Sequence, residues 1–126
     1  MTLVDTSVWI DHLRHGDSAL SNLLNTGGVI VHPFVIGELA LGSLRQRDVI
    51  LETLNNMPRA KIATNEEVLA FINQSNLYGL GIGYIDAHLL ASVRLAPATL
   101  IWTRDKRLCA AADQLGLRAA WDSHLP

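Results

Sequence analysis

The sequence predicts a three-layer α/β/α domain with a central, mostly parallel sheet of about four to five strands. Three observations lead there. Short apolar runs alternate with longer segments of helical period along the whole chain. Most of those runs are apolar at every position, as strands covered on both faces must be. The composition, 49% hydrophobic over 126 residues with mean hydropathy +0.23, supports one core without disulfide staples, and Cys109 has no second cysteine to pair with.

Leu3-Val4 is the first strand, and it ends at Asp5. Thr6 to about His15 reads as a helix, capped by Asp5 or Thr6, with Val8, Trp9 and Leu13 on its apolar face. Asp17 caps a second helix with Leu20, Leu23 and Leu24 at i, i+3 and i+4, closed by Gly27-Gly28. Val29-Ile30-Val31 is an apolar strand, and Pro33 suits the first turn of a helix running through Phe34 to Leu44. A further helix covers about Gln46 to Met57, and Pro58 stops it. Ala60-Lys61-Ile62 is a brief strand. Thr64-Asn65-Glu66-Glu67 is a capping box that opens a helix ending near Gly79. After Gly81 and Gly83 comes a helix from about Tyr84 to Leu95, halted by Pro97. Thr99 to Thr103 is the clearest strand, Asp105 caps a helix through Leu115, and Gly116 closes it. Leu117 to Trp121 forms the last strand, with a short polar tail beyond. No repeat, low-complexity tract or linker divides residues 1–126, which read as a single domain.

Charge and targeting features narrow the function. A net charge of −2 and a pI near 6.2 are not the footprint of a protein that grips nucleic acid by bulk electrostatics. Contacts to a polyanion must come from local Arg/Lys clusters or from metal. The start, Met1-Thr2-Leu3-Val4, has neither a basic region nor a long apolar stretch, and Ser92, Arg94, Pro97 and Thr99 interrupt the apolar run near Leu89–Trp102. The expectation is a cytoplasmic protein without a membrane span.

Most acidic residues have structural roles. Asp17, Glu66 and Glu67 fall in helix first turns, while Asp11, Asp48, Glu52 and Asp113 lie on solvated helix faces. Four do not fit that account. Asp86 lies on the apolar stripe of its helix, with Ile82, Leu89, Leu90 and Val93 at i−4, i+3, i+4 and i+7. Glu38 has Phe34, Val35 and Leu41 at i−4, i−3 and i+3. An unpaired carboxylate in such a place costs several kcal/mol or takes up a proton, so a salt bridge, an N–H donor or a cation must compensate. Asp5 and Asp105 follow apolar strands at their carboxyl ends, the edge where open α/β sheets bind ligands, although either could also be an N-cap. Four clustered carboxylates stay ionised only with cations, and hard divalent ions such as Mg²⁺ take oxygen ligands and pair with phosphate. Ser7 and Thr103 are placed to orient a water or a carboxylate, or to act as local caps.

Asp5-Thr6-Ser7, Ile36-Gly37-Glu38-Leu39, Tyr84-Ile85-Asp86-Ala87 and Thr103-Arg104-Asp105, in that order and over nearly the whole chain, resemble the PIN-domain nucleases. The likeness is greatest to the VapC-type toxins of toxin–antitoxin pairs. It implies a PIN fold, Mg²⁺- or Mn²⁺-dependent endoribonuclease activity on an RNA substrate, a homodimer, and a VapB-like antitoxin whose C-terminal segment covers the acidic site. By the same resemblance Asp5, Glu38, Asp86 and Asp105 form the metal site, supported by Thr103 and Ser7.

Other features carry less. Arg104, Lys106 and Arg107 crowd the start of the Asp105 helix, where they either hold RNA phosphates or remain solvated. His12 and His15 have metal-like spacing at a solvated helix end, and His88 points away from Asp86. His32 reads as structural with no evident partner, and Cys109 as core. Two other function classes stay open. An aspartyl phosphatase or receiver-like domain also places Asp after its first strand, but it needs a second acid where Ser7 stands or next to Asp5. A non-catalytic module that keeps the acids as an ion site is the other.

Overall fold

Among the described residues three parallel strands set the frame: β1 (Thr2–Val4), β2 (Val29–Ile30) and β3 (Leu100–Trp102), in the order β2-β1-β3. The computed structural model describes residues 1–122, so the expected polar tail lies outside the described residues. Leu3 pairs with Ile30 on one side and Ile101 on the other, and Val4 sits opposite Trp102. Every residue of β1 and β2 is buried, as a sheet covered on both faces requires. Two of the expected strands shrink to single parallel bridges at the sheet edges, Val31 with Arg59 and Ile101 with Arg118. Pro58 gives only its carbonyl, to Val31 N–H (2.9 Å), and a proline has no N–H with which to extend a ladder.

Among the described residues seven helices connect and cover the strands: α1 (Thr6–His15), α2 (Ser18–Asn25), α3 (Pro33–Ala40), α4 (Arg47–Asn55), α5 (Asn65–Gln74), α6 (Tyr84–Leu95) and α7 (Lys106–Leu115). Asp17 caps α2 through Leu20 N–H (3.0 Å), and Thr64 with Glu67 closes a reciprocal capping box on α5. Two helices are shorter than their sequence pattern suggests. α3 stops at Ala40, because Arg47 Nε and Nη2 take the Ala40 carbonyl (3.2 and 2.9 Å) and the chain turns at Gly42. α5 stops at Gln74, and Asn76 at φ 54° leads the chain out toward Gly79. α6 contributes an unbroken buried run from Ala87 to Val93, and it packs on β3 and α5.

The cap of α3 is an imidazole. His32 is fully buried; its Nδ1 accepts the Phe34 N–H (3.0 Å), so the ring proton lies on Nε2 and goes to Ser92 Oγ (3.1 Å). Burial, then the field of His88, hold its pKa down at about 4, against 6.5 for a free imidazole. A histidine depressed in the fold contributes stability that is whole above the unfolded-state value and is lost as pH falls through that window. The expected loss between about pH 6.5 and pH 4 is roughly 3 kcal/mol from this ring. Urea midpoints measured across that range should fall more steeply for the parent than for His32→Asn, whose amide oxygen can still cap the helix. Parallel slopes would remove His32 from the account.

Candidate active site

The register that puts Val4 opposite Trp102 brings Asp5 and Thr103 out together on the carboxyl edge of the sheet. Asp5 N–H donates to the Trp102 carbonyl (2.9 Å), which fixes its backbone. It occupies the N-cap position of α1, yet its side chain caps nothing. The carboxylate, only 6% exposed, instead takes two hydroxyls on Oδ2: Ser7 Oγ at 2.9 Å and Thr103 Oγ1 at 2.7 Å. Both hydroxyls are oriented by backbone donors, Arg104 N–H to Ser7 Oγ and Asp105 N–H to Thr103 Oγ1, each 3.1 Å. With that lone pair occupied, each hydroxyl hydrogen is free to turn onto Asp5 Oδ2, whose two lone pairs receive both.

The other three acids approach from different helices. Asp105 is exposed and caps α7, accepting Arg107 and Leu108 N–H on Oδ1 (2.9 and 3.0 Å). Asp86, in the first turn of α6 and partly buried, accepts Gly83 N–H on Oδ2 (3.0 Å). Glu38 accepts Thr6 Oγ1 on Oε1 (2.7 Å), a role for Thr6 that its cap position in the sequence did not indicate. Glu38 is exposed rather than set in an apolar stripe, because α3 ends before Leu41, itself 90% exposed, can close that stripe. A common pattern results. Each carboxylate is pinned through one oxygen, while the other oxygen has no protein hydrogen bond among the described residues.

Among the described residues, none of the four makes a salt bridge. Asp5, Asp86 and Asp105 lie at the N-termini of α1, α6 and α7, where the helix dipoles favour negative charge and offset part of their repulsion. The offset is incomplete. Burial raises the pKa of Asp86, the Gly83 N–H opposes that rise, and the charges of Asp5, Asp105 and Glu38 add to it. The acids therefore act on one another, although among the described residues no three of them close into one coordination shell. A hard divalent ion suits such a set, since Mg²⁺ keeps several waters and takes one or two carboxylates directly.

The cations divide. Arg104, expected among the phosphate-holding residues, is committed elsewhere: its guanidinium binds Asp11 (2.8 Å), Asp17 and Asp122 (3.2 Å), and it lies 5.3 Å from the Trp102 ring. Burial raises Asp17 and Asp122, but the hydrogen bonds and charge of Arg104, joined by the Leu20 N–H at Asp17 and the Trp102 indole N–H at Asp122, together outweigh it, and both carboxyls sit below their ordinary value. Asp11, read as solvated, and Asp122, with no reading from the sequence, belong to this knot; partners so far apart leave no local pattern. Lys106 and Arg107 are exposed beside Asp105. His12 Nδ1 accepts Asp17 N–H (3.0 Å), His88 is buried in α6, and half-buried Cys109 donates to the Thr103 carbonyl (3.2 Å).

Residues 2–114 match the PIN domain family. The chain is 49% identical over 120 residues to Ribonuclease VapC32 from two strains of Mycobacterium tuberculosis, covering 95% of this chain and 97% of that protein. Its fold is similar to the crystal structure of FitAcB from Neisseria gonorrhoeae, with a TM-score of 0.61 at 24% identity, over 90% of this chain and 94% of that one.

Proposed function

Since the chain belongs to the PIN domain family, we propose that it is an endoribonuclease, dependent on Mg²⁺ or Mn²⁺, that serves as the toxin of a toxin–antitoxin pair in the cytoplasm. The observation that carries the reading is the set of four acids at the sheet edge, each held by one oxygen and none paired to a cation among the described residues. Asp5, Glu38, Asp86 and Asp105 would hold the ion between them, directly or through its bound waters. When bound, the cation supplies charge neutralisation on the phosphodiester and lowers the pKa of an attacking water. Ser7 and Thr103 fix the direction of the Asp5 carboxylate, and Thr6 does the same for Glu38. A phosphatase reading fits less well, because Ser7, which stands where the second acid is needed, is taken up as a donor to Asp5.

A cleft of about 400 Å³, walled by Ile10, Leu13, Leu39, Leu44 and Ile50, has Glu38 on its lining. It suits an antitoxin segment that reaches the acids from the side of α1 and α3. Pairing of two copies of the chain belongs to the same reading. Chelation is expected to stop cleavage of RNA by the purified protein, and added Mg²⁺ or Mn²⁺ to restore it. Cleavage that persists undiminished in chelator would exclude the metal-dependent mechanism.

A further inference from the structure

Before α6 the chain turns through Gly79-Leu80-Gly81-Ile82-Gly83, with Gly79 (φ 76°) and Gly81 (φ 78°) in the left-handed region. Two tyrosines flank this turn, Tyr78, 66% exposed, and Tyr84, 46% exposed. Between them opens a cleft of about 210 Å³ floored by Ile72, Leu77 and Ile82. Tyr84 is held in place: its hydroxyl donates to Asn65 Oδ1 (3.0 Å), and its ring meets His88 edge-to-face at 4.7 Å. Gly83, on the wall of the cleft, also gives its N–H to Asp86, so the cleft and the acid group share a residue. Arg107 lies against the same turn. A methyl group added at Gly81 would come within 2.9 Å of Arg107 Cδ and 3.0 Å of Nη1. Among the described residues the Arg107 guanidinium has neither an ion pair nor a hydrogen bond.

We propose that this cleft seats one unpaired nucleobase of the RNA substrate, stacked against Tyr78 and Tyr84, with Arg107 on an adjoining phosphate. The proposal rests on the ribonuclease reading above and adds how the substrate is held. Aromatic faces stack any base and contribute about 1–3 kcal/mol per base, without sequence readout. The cleft is smaller than the roughly 300–1,000 Å³ of sites that enclose a drug-sized ligand, which suits one planar base with its phosphate left outside. A base within a duplex is already stacked and paired, so the substrate strand must be unpaired at this point. With a net charge of −2, bulk attraction to RNA is weak, and stacking with one local cation supplies what the overall field does not.

Binding of short fluorescein-labelled homopolymeric single-stranded RNAs, followed by anisotropy with Ca²⁺ in place of Mg²⁺, tests it. Tyr78→Leu and Tyr84→Leu should each bind about 10-fold more weakly than the parent, while Tyr78→Phe stays within about twofold, because stacking needs the ring and not the hydroxyl. The same RNA annealed to its complement should bind weakly and be indifferent to Tyr78→Leu. Thermal melting confirms that the exposed-site variants fold. Parent-like binding by Tyr78→Leu overturns the proposal, as would a loss that Tyr78→Phe shares. Cleavage with Mg²⁺ is scored separately. A parent that binds through Tyr78 but cuts no RNA removes the ribonuclease reading and keeps the cleft. A parent that cuts, with leucine variants that bind and cut equally well, keeps the reading and removes the cleft; a parent that binds no RNA removes both.

Discussion

Replacing Asp5 by asparagine is expected to lower the rate of RNA cleavage by about 1,000-fold or more, equivalent to roughly 4 kcal/mol of lost transition-state stabilisation, while the protein still folds. The asparagine amide oxygen can stand where Oδ2 does and accept both hydroxyls, but its NH₂ group then replaces the free oxygen and offers donors where a cation needs an acceptor. It also removes the negative charge a divalent ion would use. Folding should survive, because the lost group is a buried carboxylate with no cationic partner among the described residues, and its removal relieves the field that raises Asp86. Steady-state cleavage with Mg²⁺, alongside a thermal melt, checks both halves. A well-folded Asp5→Asn protein that cleaves within about tenfold of the parent would end the four-acid proposal.

The second large effect falls on stability. Arg104→Met should cost about 2 kcal/mol, because it leaves Asp11, Asp17 and Asp122 facing one another without their shared cation. Removing one member of a fully buried pair costs more, about 3–5 kcal/mol; the guanidinium here is 27% exposed and Asp11 is half in water, so solvent screens part of the loss. Methionine keeps an apolar stem against Trp102, which confines the change to charge and hydrogen bonding. Urea unfolding should show the deficit, and added salt should narrow it by screening the three carboxylates. Unchanged stability would mean that the knot is incidental.

Periodicity carried much of the fold. Apolar runs and caps located β1, β2, β3 and every helix, since burial on two faces and N-cap chemistry both leave short local patterns. Element ends were less legible: α3 stops where Arg47, seven residues on, takes the Ala40 carbonyl, and no count of apolar spacing registers that. The same miss explains Glu38, whose apolar stripe required a helix continuing past Leu41. Within the site, the chemistry of each residue type was legible and the pairings were not. Ser7 and Thr103 were both legible as orienting hydroxyls, but Thr103, two residues from Asp105, reaches Asp5 from 98 positions away. Arg104 was grouped with its neighbours Lys106 and Arg107, because adjacency in sequence is all that a cluster of cations displays. Its true partners are 93, 87 and 18 positions distant. His32 was left without a partner because an imidazole capping a helix is not among the usual cap side chains.

The bond between Thr103 and Asp5 ties the third strand of the sheet to the first across most of the chain. A polypeptide growing from the ribosome holds Asp5 from the outset but cannot place Thr103 or Asp105 beside it until β3 and the start of α7 have emerged. On the four-acid proposal, fragments from interrupted synthesis that stop short of Asp105 are expected to leave RNA uncut. By the same proposal the cutting edge is complete only late in translation, when Asp105 arrives, and whatever restrains it would have the time needed to make about a hundred peptide bonds in which to be ready.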